Sequence, residues 1–339
     1  MQAQLLPKVP VYPLAFRLEA ASAIQLPEHA GAVFRGGFGK FFRELVCTTG
    51  APVCTGCPEL RACRYAQVFE TPVDRERFPV LKGLPNAPHP FVMSPPVGAG
   101  RVVSSGSEFE VRVTLIGSGV EHLPHFIVVF DAMGRGGRFG GRFRVREAVS
   151  AHAPGHVVYD GRSRRMAAAP AEWRDGAAEA AVQRVRLEFV TPLRMRTGGR
   201  YNARPNFAEV AGALLRRLHF LAALYGGGDA STAWTHPLLA QADRVRTEEA
   251  RFELYRWDRF SGRQGRRVAM VGEVGWLAAS GEWGGRMPAL RRGAGVHVGS
   301  GPSGGGGGGG GGVGGGVAGG GAGGVGAGGV GDEHGDGEV

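Results

Sequence analysis

Lysine is nearly missing from this 339-residue chain: Lys8, Lys40 and Lys82 are the only ones among 40 basic residues. Cysteine is as scarce, with four residues, all between positions 47 and 63. Residues 1–13 contain no apolar run fit for a signal peptide, and without a secretory route four cysteines do not read as a disulfide framework. No apolar stretch approaches the roughly 20 residues that a spanning helix needs, so the expectation is a cytoplasmic protein with no membrane partner. There is no His-Glu-x-x-His pair for a metalloprotease. The one Gly-x-Ser-x-Gly match, at residues 301–305, falls inside a glycine tract where no strand-to-helix elbow could form. No glycine run has the spacing of a phosphate-binding Walker loop or a dinucleotide fingerprint.

What is abundant is glycine, with 60 residues concentrated at one end. From Gly299 onward the chain is glycine with scattered Ala, Val and Ser, closing on Asp332, Glu333, Asp336 and Glu338. Such a tract buries too little apolar surface to offset its ordering entropy, so residues 300–339 are expected to form a disordered Gly-rich tail. Setting aside its four acids, the net charge of +10 becomes +14. An Arg-rich surface suits phosphate and base recognition, which favours a nucleic-acid partner. A GC-rich genome, trading Lys for Arg and enriching Gly, explains the composition equally well. The remaining chain is long enough for about two domains and has ample Leu, Val and Phe. A mini-protein, a coiled coil and a wholly disordered chain are excluded.

The hydrophobic periodicity repeats one pattern twice. Leu14, Phe16 and Leu18 alternate with polar neighbours, as a half-buried strand does. Phe34, Phe38, Phe42 and Leu45 then share a helix face. Phe91-Val92-Met93, and Phe109 to Leu115 in alternation, read as strands, followed by a helix over residues 123–133 and a strand with Phe143 and Val145 inward. In the second half, Val185, Leu187 and Phe189 alternate, and Phe207, Val210, Leu214, Leu218, Leu221 and Tyr225 give a long helix stopped by Gly226-Gly227-Gly228. Residues 252–257 and 268–278 form a strand pair, residues 287–292 a short helix, and His297-Val298 the start of a strand. The fold class is therefore α+β: two tandem ferredoxin-like (RRM-like) domains over residues 10–155 and 180–299, the second in doubt for its last strand.

Three features carry chemistry. Cys47, Cys54, Cys57 and Cys63 occupy one loop (residues 47–63), and Cys54-x2-Cys57 has the bite for one metal. A structural zinc or an iron–sulfur cluster is expected there, with no His close by as an open-site ligand. The alternative is four unrelated thiols. Arg256, Arg259, Arg263, Arg266 and Arg267, with Trp257 and Phe260, crowd a turn between strands, where arginines meet phosphates and aromatics stack on bases. A solvated basic hairpin with Trp257 in the core fits that composition equally. The glycine-rich loop around Arg135, Arg138 and Arg142 offers backbone amides to a phosphate, or is simply a turn. His122, His125, His152 and His156 read as packed or surface residues.

Four blocks in order resemble the CRISPR repeat-processing endoribonucleases of the repeat-associated mysterious protein (RAMP) superfamily over residues 14–299. They are Pro27-Glu28-His29-Ala30-Gly31-Ala32-Val33-Phe34-Arg35-Gly36-Gly37-Phe38-Gly39; Cys54-Thr55-Gly56-Cys57-Pro58 running on to Cys63-Arg64-Tyr65 and Phe69-Glu70; Phe189-Val190-Thr191-Pro192-Leu193-Arg194; and residues 256–264. The resemblance implies two ferredoxin-like domains side by side and a nuclease of antiviral defence that cuts CRISPR repeat RNA into guide RNAs. It implies metal-independent cleavage, with no catalytic cofactor, through the ribose 2′-hydroxyl to a 2′,3′-cyclic phosphate. His29 is then the proton carrier, Arg35 or Lys40 the phosphorane stabiliser, and Arg256, Arg259, Arg263, Arg266 and Arg267 hold RNA with Arg138 and Arg142. On a plainer view His29 caps the helix and Arg35 makes an internal ion pair. One departure stands out: Ser300 occupies a place where the family commonly has lysine, and the glycine tract follows. A slipped reading frame after about Gly301 would account for it. The runner-up function is a non-catalytic RNA-binding RAMP subunit with CRISPR effector-complex partners; a third is a metal-stabilised nucleic-acid-binding module outside CRISPR biology.

Overall fold

The computed structural model describes residues 7–26, 30–72, 74, 76–81, 87–94, 101–137, 140–174, 183–227, 231, 233–261, 266–281 and 317–319. Strand β1 (Val11–Ala20) turns Leu14, Phe16 and Leu18 to one side, and all three are buried. After the short β2 (Ile24–Gln25) comes α1 (Ala30–Val46), where Phe34, Phe38 and Phe42 recur every fourth residue and are fully buried. That spacing keeps them on one helix face. Leu45, expected on the same stripe, is 49% exposed, because the last turn of α1 runs out to the cysteine loop. A π-helical turn (Ala66–Glu70) returns Phe69 against Phe38 and Phe42, at 6.0 and 5.9 Å between ring centres. Strands β3 (Phe91–Ser94), β4 (Val102–Val103) and β5 (Glu108–Ile116) follow, and a 3-10 turn (Gly117–His122) enters α2 (Leu123–Arg135). Pro124 sits in the first turn of α2, where a missing N–H costs nothing.

With β6 (Phe143–Ser150), β7 (Val157–Asp160) and β8 (Arg165–Met166) the first sheet has the order β3-β5-β1-β6-β7-β8. The β1–β5 register sets Leu14 opposite Val113, Phe16 opposite Val111 and Leu18 opposite Phe109, so the apolar sets of both strands share one face. Helices α1 and α2 close the core on that face. Strand order and chain order together give the ferredoxin-like arrangement, fourth strand beside first, then third, then second. Strands β7 and β8 extend this sheet beyond residue 155.

The second unit opens with β9 (Arg184–Leu193), followed by a small hairpin of β10 (Met195–Thr197) and β11 (Arg200–Asn202). Helix α3 (Phe207–Tyr225) starts on a capping box: Asn206 accepts from the Glu209 amide, and Glu209 accepts from the Asn206 amide. After α4 (Thr235–Ala242), the long strands β12 (Arg246–Ser261) and β13 (Arg266–Ser280) pair antiparallel. The second sheet runs β12-β13-β9-β14, where β14 (Val317–Gly319) comes from the glycine tract and lies beside β9 at the place of a last strand. The tail read from composition as wholly unstructured therefore contributes three paired residues. The expected helix at residues 287–292 and strand at His297-Val298 lie outside the described residues.

Helix α3 serves both units. Phe207, Val210, Ala211 and Leu214 pack with Val185, Leu187 and Phe189 of β9, whereas Leu218, Leu221 and Ala222 pack with Val9, Val11, Val92 and Ile116 of the first unit. Gly117 makes the approach possible: its φ is +52°, and a Cβ there would come 2.3 Å from the Tyr225 carbonyl oxygen.

Candidate functional site

The catalytic candidates were expected on and beside α1. His29 lies outside the described residues. Lys40 is exposed and pairs with Glu44 one turn on, at 3.6 Å. Arg35, five residues before it, points a different way. Its guanidinium lies 4.9 Å from the Phe91 ring centre and 5.5 Å from that of Phe69, half-buried at the seam between the two units. Burial, and then the Arg217 guanidinium of α3, pull its pKa down to about 10. Arg35 and Lys40 are therefore not brought together, and Arg35 is stacked on rings rather than presented to solvent.

Around Arg35 the seam holds two groups that the sequence did not single out, His89 and Arg217. His89 is pulled down to about 3 by burial, then by Arg35 and Arg217, so it is neutral at physiological pH. Its Nδ1 lies 3.2 Å from the Thr71 hydroxyl. Burial also pulls Arg217 down to about 10. His122 and His125 sit side by side at 5.8 Å, near Arg64, and burial pulls His122 down to about 4. His152 and His156 approach the Glu172 and Ala169 carbonyl oxygens with Nε2, at 3.1 and 2.7 Å, as loop ties.

The cysteine loop behaves as one object. Cys47, Cys54, Cys57 and Cys63 are all half-buried free thiols lining a single small cavity with Arg43, Thr49 and Tyr65. The Thr49 hydroxyl stands 3.8 Å from the Cys47 sulfur and 3.6 Å from that of Cys57. Arg43, from the last turn of α1, donates to the Ala51 and Pro52 carbonyls and ties the loop to the helix. The Gly50 amide and the Thr49 hydroxyl hold the Cys47 thiol low, while burial pushes Cys54 up. Among the described residues no three His, Cys, Asp or Glu side chains are already arranged as a metal cage. The loop thus supplies four sulfurs to one cavity without closing on its centre.

The expected basic turn is different in shape. Arg256 and Arg259 belong to β12, and Arg266 and Arg267 to β13, with Arg259 paired to Val268 and Phe260 to Arg267; Arg263 lies outside the described residues. Most of these arginines therefore ride on two long strands. Arg256 is exposed, and Trp257 is half-buried with its ring 6.2 Å from that of Tyr255 on the same side of β12. On the first unit, Arg142 is exposed and its main chain is fixed by bonds to Ala21 and Ser22; Arg138 lies outside the described residues. A second basic segment, the β10–β11 hairpin with Arg196 and Arg200 between Arg194 and Arg204, was marked in the sequence only at Arg194. Its signal there was four arginines around a Gly-Gly pair.

Comparison with known proteins separates the two halves. Residues 8–171 match a family model described as AF_1859_N, N-terminal domain, and residues 187–308 match that of CRISPR-associated endoribonuclease Cas6. An uncharacterized protein of Archaeoglobus fulgidus is 31% identical over 136 residues, which are 40% of this chain and 45% of that protein. The chain thus spans less than half the length of this curated relative. Thermus thermophilus Cas6 is similar over 86% of this chain and 93% of its own, at 15% identity and a TM-score of 0.44. A Cas6 product complex covers 86% and 93% of the two chains, at 20% identity and a TM-score of 0.45. An RAMP protein binding different RNA substrates covers 83% and 90%, at 9% identity and a TM-score of 0.38.

Proposed function

We propose that this chain, a member of the CRISPR repeat-processing family by its Cas6 endoribonuclease domain at residues 187–308, binds repeat RNA in precursor CRISPR transcripts and cuts it to give guide RNAs. The family match over that segment is the observation that carries the reading. The arginine-dominated charge and the exposed cations of β12 support the RNA half of it.

Cleavage proceeds, on this reading, by attack of a ribose 2′-hydroxyl on its own 3′-phosphate. The 2′-oxygen–phosphorus bond forms, the bond to the next nucleotide's 5′-oxygen breaks, and the products are a 2′,3′-cyclic phosphate and a 5′-hydroxyl. One group must take the 2′-hydroxyl proton, another must give a proton to the leaving oxygen, and positive charge must meet the phosphorane. None of these roles requires a metal. His29, just before α1, is the proton carrier, and Lys40 is the cation that solvent-borne RNA can reach. Arg35, held over Phe69 and Phe91, positions α1 against β3 rather than touching the phosphate.

The four thiols of the cysteine loop are proposed to hold a structural zinc or an iron–sulfur cluster through Cys47, Cys54, Cys57 and Cys63. They fit in kind and number, and all face one cavity. The work is assigned to the cytoplasm, where the precursor transcript is made; among the described residues no helix is long and apolar enough to cross a membrane. Repeat RNA is the partner, with other CRISPR proteins as further ones.

Incubating purified protein with synthetic repeat RNA in EDTA tests the reading. Cleavage at one site, with a cyclic phosphate on the upstream product, is the expected result. Binding without cleavage would instead make the chain an RNA-binding subunit, and no preference for repeats would place it outside CRISPR processing.

A further inference from the structure

Resting on the RNA-binding reading, a second basic element stands apart from the β12–β13 strands. The β10–β11 hairpin reverses over Gly198 and Gly199, whose φ values are +57° and +79°. A two-residue turn with positive φ at both positions suits the right-handed twist of a hairpin and calls for glycine. Open space surrounds both positions, so backbone angle and not crowding explains the pair.

The hairpin is anchored on three sides. Met195 is buried in the second core. The Tyr201 hydroxyl donates to Oε1 of Glu273 at 2.9 Å, and Glu273, on β13, is 4% exposed. Asn202 Nδ2 donates to the Thr197 hydroxyl at 3.1 Å and to Glu209 Oε2 at 3.0 Å, tying the hairpin to the capping box of α3. Glu273 and Glu209 are thereby engaged.

The arginines of this segment have no such partners. Arg196, Arg200 and Arg204 are exposed and Arg194 is half-buried; among the described residues no carboxylate oxygen lies within 4.0 Å of any of the four. Six sheet arginines elsewhere differ, although Arg246, Arg251 and Arg256 of β12 also lack such a partner among the described residues. Arg17, Arg112, Arg144, Arg146, Arg184 and Arg186 each have a glutamate oxygen within 3.0 Å. Arg196 on β10 and Arg200 on β11, flanked in the chain by Arg194 and Arg204, gather four guanidiniums within eleven residues of a pinned hairpin.

We propose that the β10–β11 hairpin is a phosphate-gripping edge that holds the RNA backbone through Arg194, Arg196, Arg200 and Arg204, without regard to base identity. RNA is favoured over an acidic protein because the chain is read as binding repeat RNA, whose regularly spaced phosphates can meet several guanidiniums at once.

The test compares R196A/R200A and R196K/R200K with the unmodified protein. Fluorescence anisotropy would follow binding to repeat RNA and to oligouridine of equal length, across salt from about 50 to about 200 mM. Loss of two phosphate contacts should flatten the log–log salt slope by about 1.4 on both RNAs, with lysine restoring most of it. Equal slopes in all three proteins, with unchanged thermal melts, would overturn the proposal. Should the alanine variant melt early, the lysine variant and R196Q/R200Q carry the comparison. Loss of slope on repeat RNA alone would also overturn it, since a backbone grip ignores sequence. A wild-type protein that binds neither RNA overturns this proposal and the function together; one that binds but does not cut overturns cleavage alone.

Discussion

Tyr225, the last residue of α3, donates its hydroxyl to the main-chain carbonyl of Pro88 at 2.7 Å, joining positions 137 residues apart in the chain. Burial pushes its phenol well above the ordinary value, so it stays a donor throughout the usable pH range. Tyr225→Phe keeps the ring and leaves the Pro88 carbonyl without this partner. The expected cost is about 1–2 kcal/mol, read as a lower urea midpoint at unchanged slope. An unshifted midpoint would mean the bond contributes nothing net.

Phe38 is the hub of the first core, with ring centres of Phe42, Phe69, Phe91, Phe126 and Phe130 between 4.6 and 6.3 Å away. Phe38→Ala should cost about 3–5 kcal/mol, and Phe38→Leu clearly less. Equilibrium unfolding of the two variants ranks them directly; equal losses would contradict a packed cluster.

Stability should fall on acidification through His89 and His122. Their folded pKa values, about 3 and about 4, lie below the unfolded value near 6.5. Above about 6.5 both forms are neutral and this contribution is complete; below it the unfolded chain takes up protons first. Each histidine then removes up to about 1.4 kcal/mol per pH unit down to its folded pKa. Urea midpoints at pH 7 and pH 5 should differ less in His89→Gln than in the wild type. An identical pH difference would show that His89 is protonated as readily folded as unfolded.

His29→Ala should lower single-turnover cleavage by roughly 100-fold or more while keeping RNA affinity, as loss of a proton carrier requires. Lys40→Ala should slow the same step, because its only described ion pair, with Glu44 at 3.6 Å, is an exposed one worth well under 1 kcal/mol to the fold. Full activity in both variants would move the proton transfer to another histidine.

Freshly purified protein should contain zinc or iron in one equivalent of centre per chain. Cys57→Ser should abolish that content and lower the melting temperature more than the intrinsic cleavage rate, since a closed four-sulfur site has no place for substrate. Metal-free protein that melts and cuts normally would make the loop a set of ordinary thiols.

Strand alternation and the four-residue Phe spacing were legible in the sequence because burial of one face imposes them directly: Leu14, Phe16, Leu18, Phe34, Phe38 and Phe42 all lie in the first core. The β10–β11 hairpin and α4 were not, being too short for a periodic signal to rise above their polar composition. The arginines of residues 256–267 looked like a turn because Arg and Gly crowd together there, whereas cross-strand pairing carries β12 and β13 outward through most of them. The convergence of four cysteines on one cavity followed from their spacing. The fate of Arg35 did not, since a cation on a Phe-rich helix reads the same whether it faces water or the rings of Phe69 and Phe91.

One helix closes both cores, so the two sheets are coupled through α3. The apolar stripe of α3 passes from β9 to Val9, Val11, Val92 and Ile116 without a break, so bending there would open both interiors at once. A fragment ending before β9 would carry those four side chains as an adhesive patch and should associate in solution. Heating should accordingly give one cooperative transition for the whole molecule, and a flexible RNA would have to wrap to the protein's fixed outline.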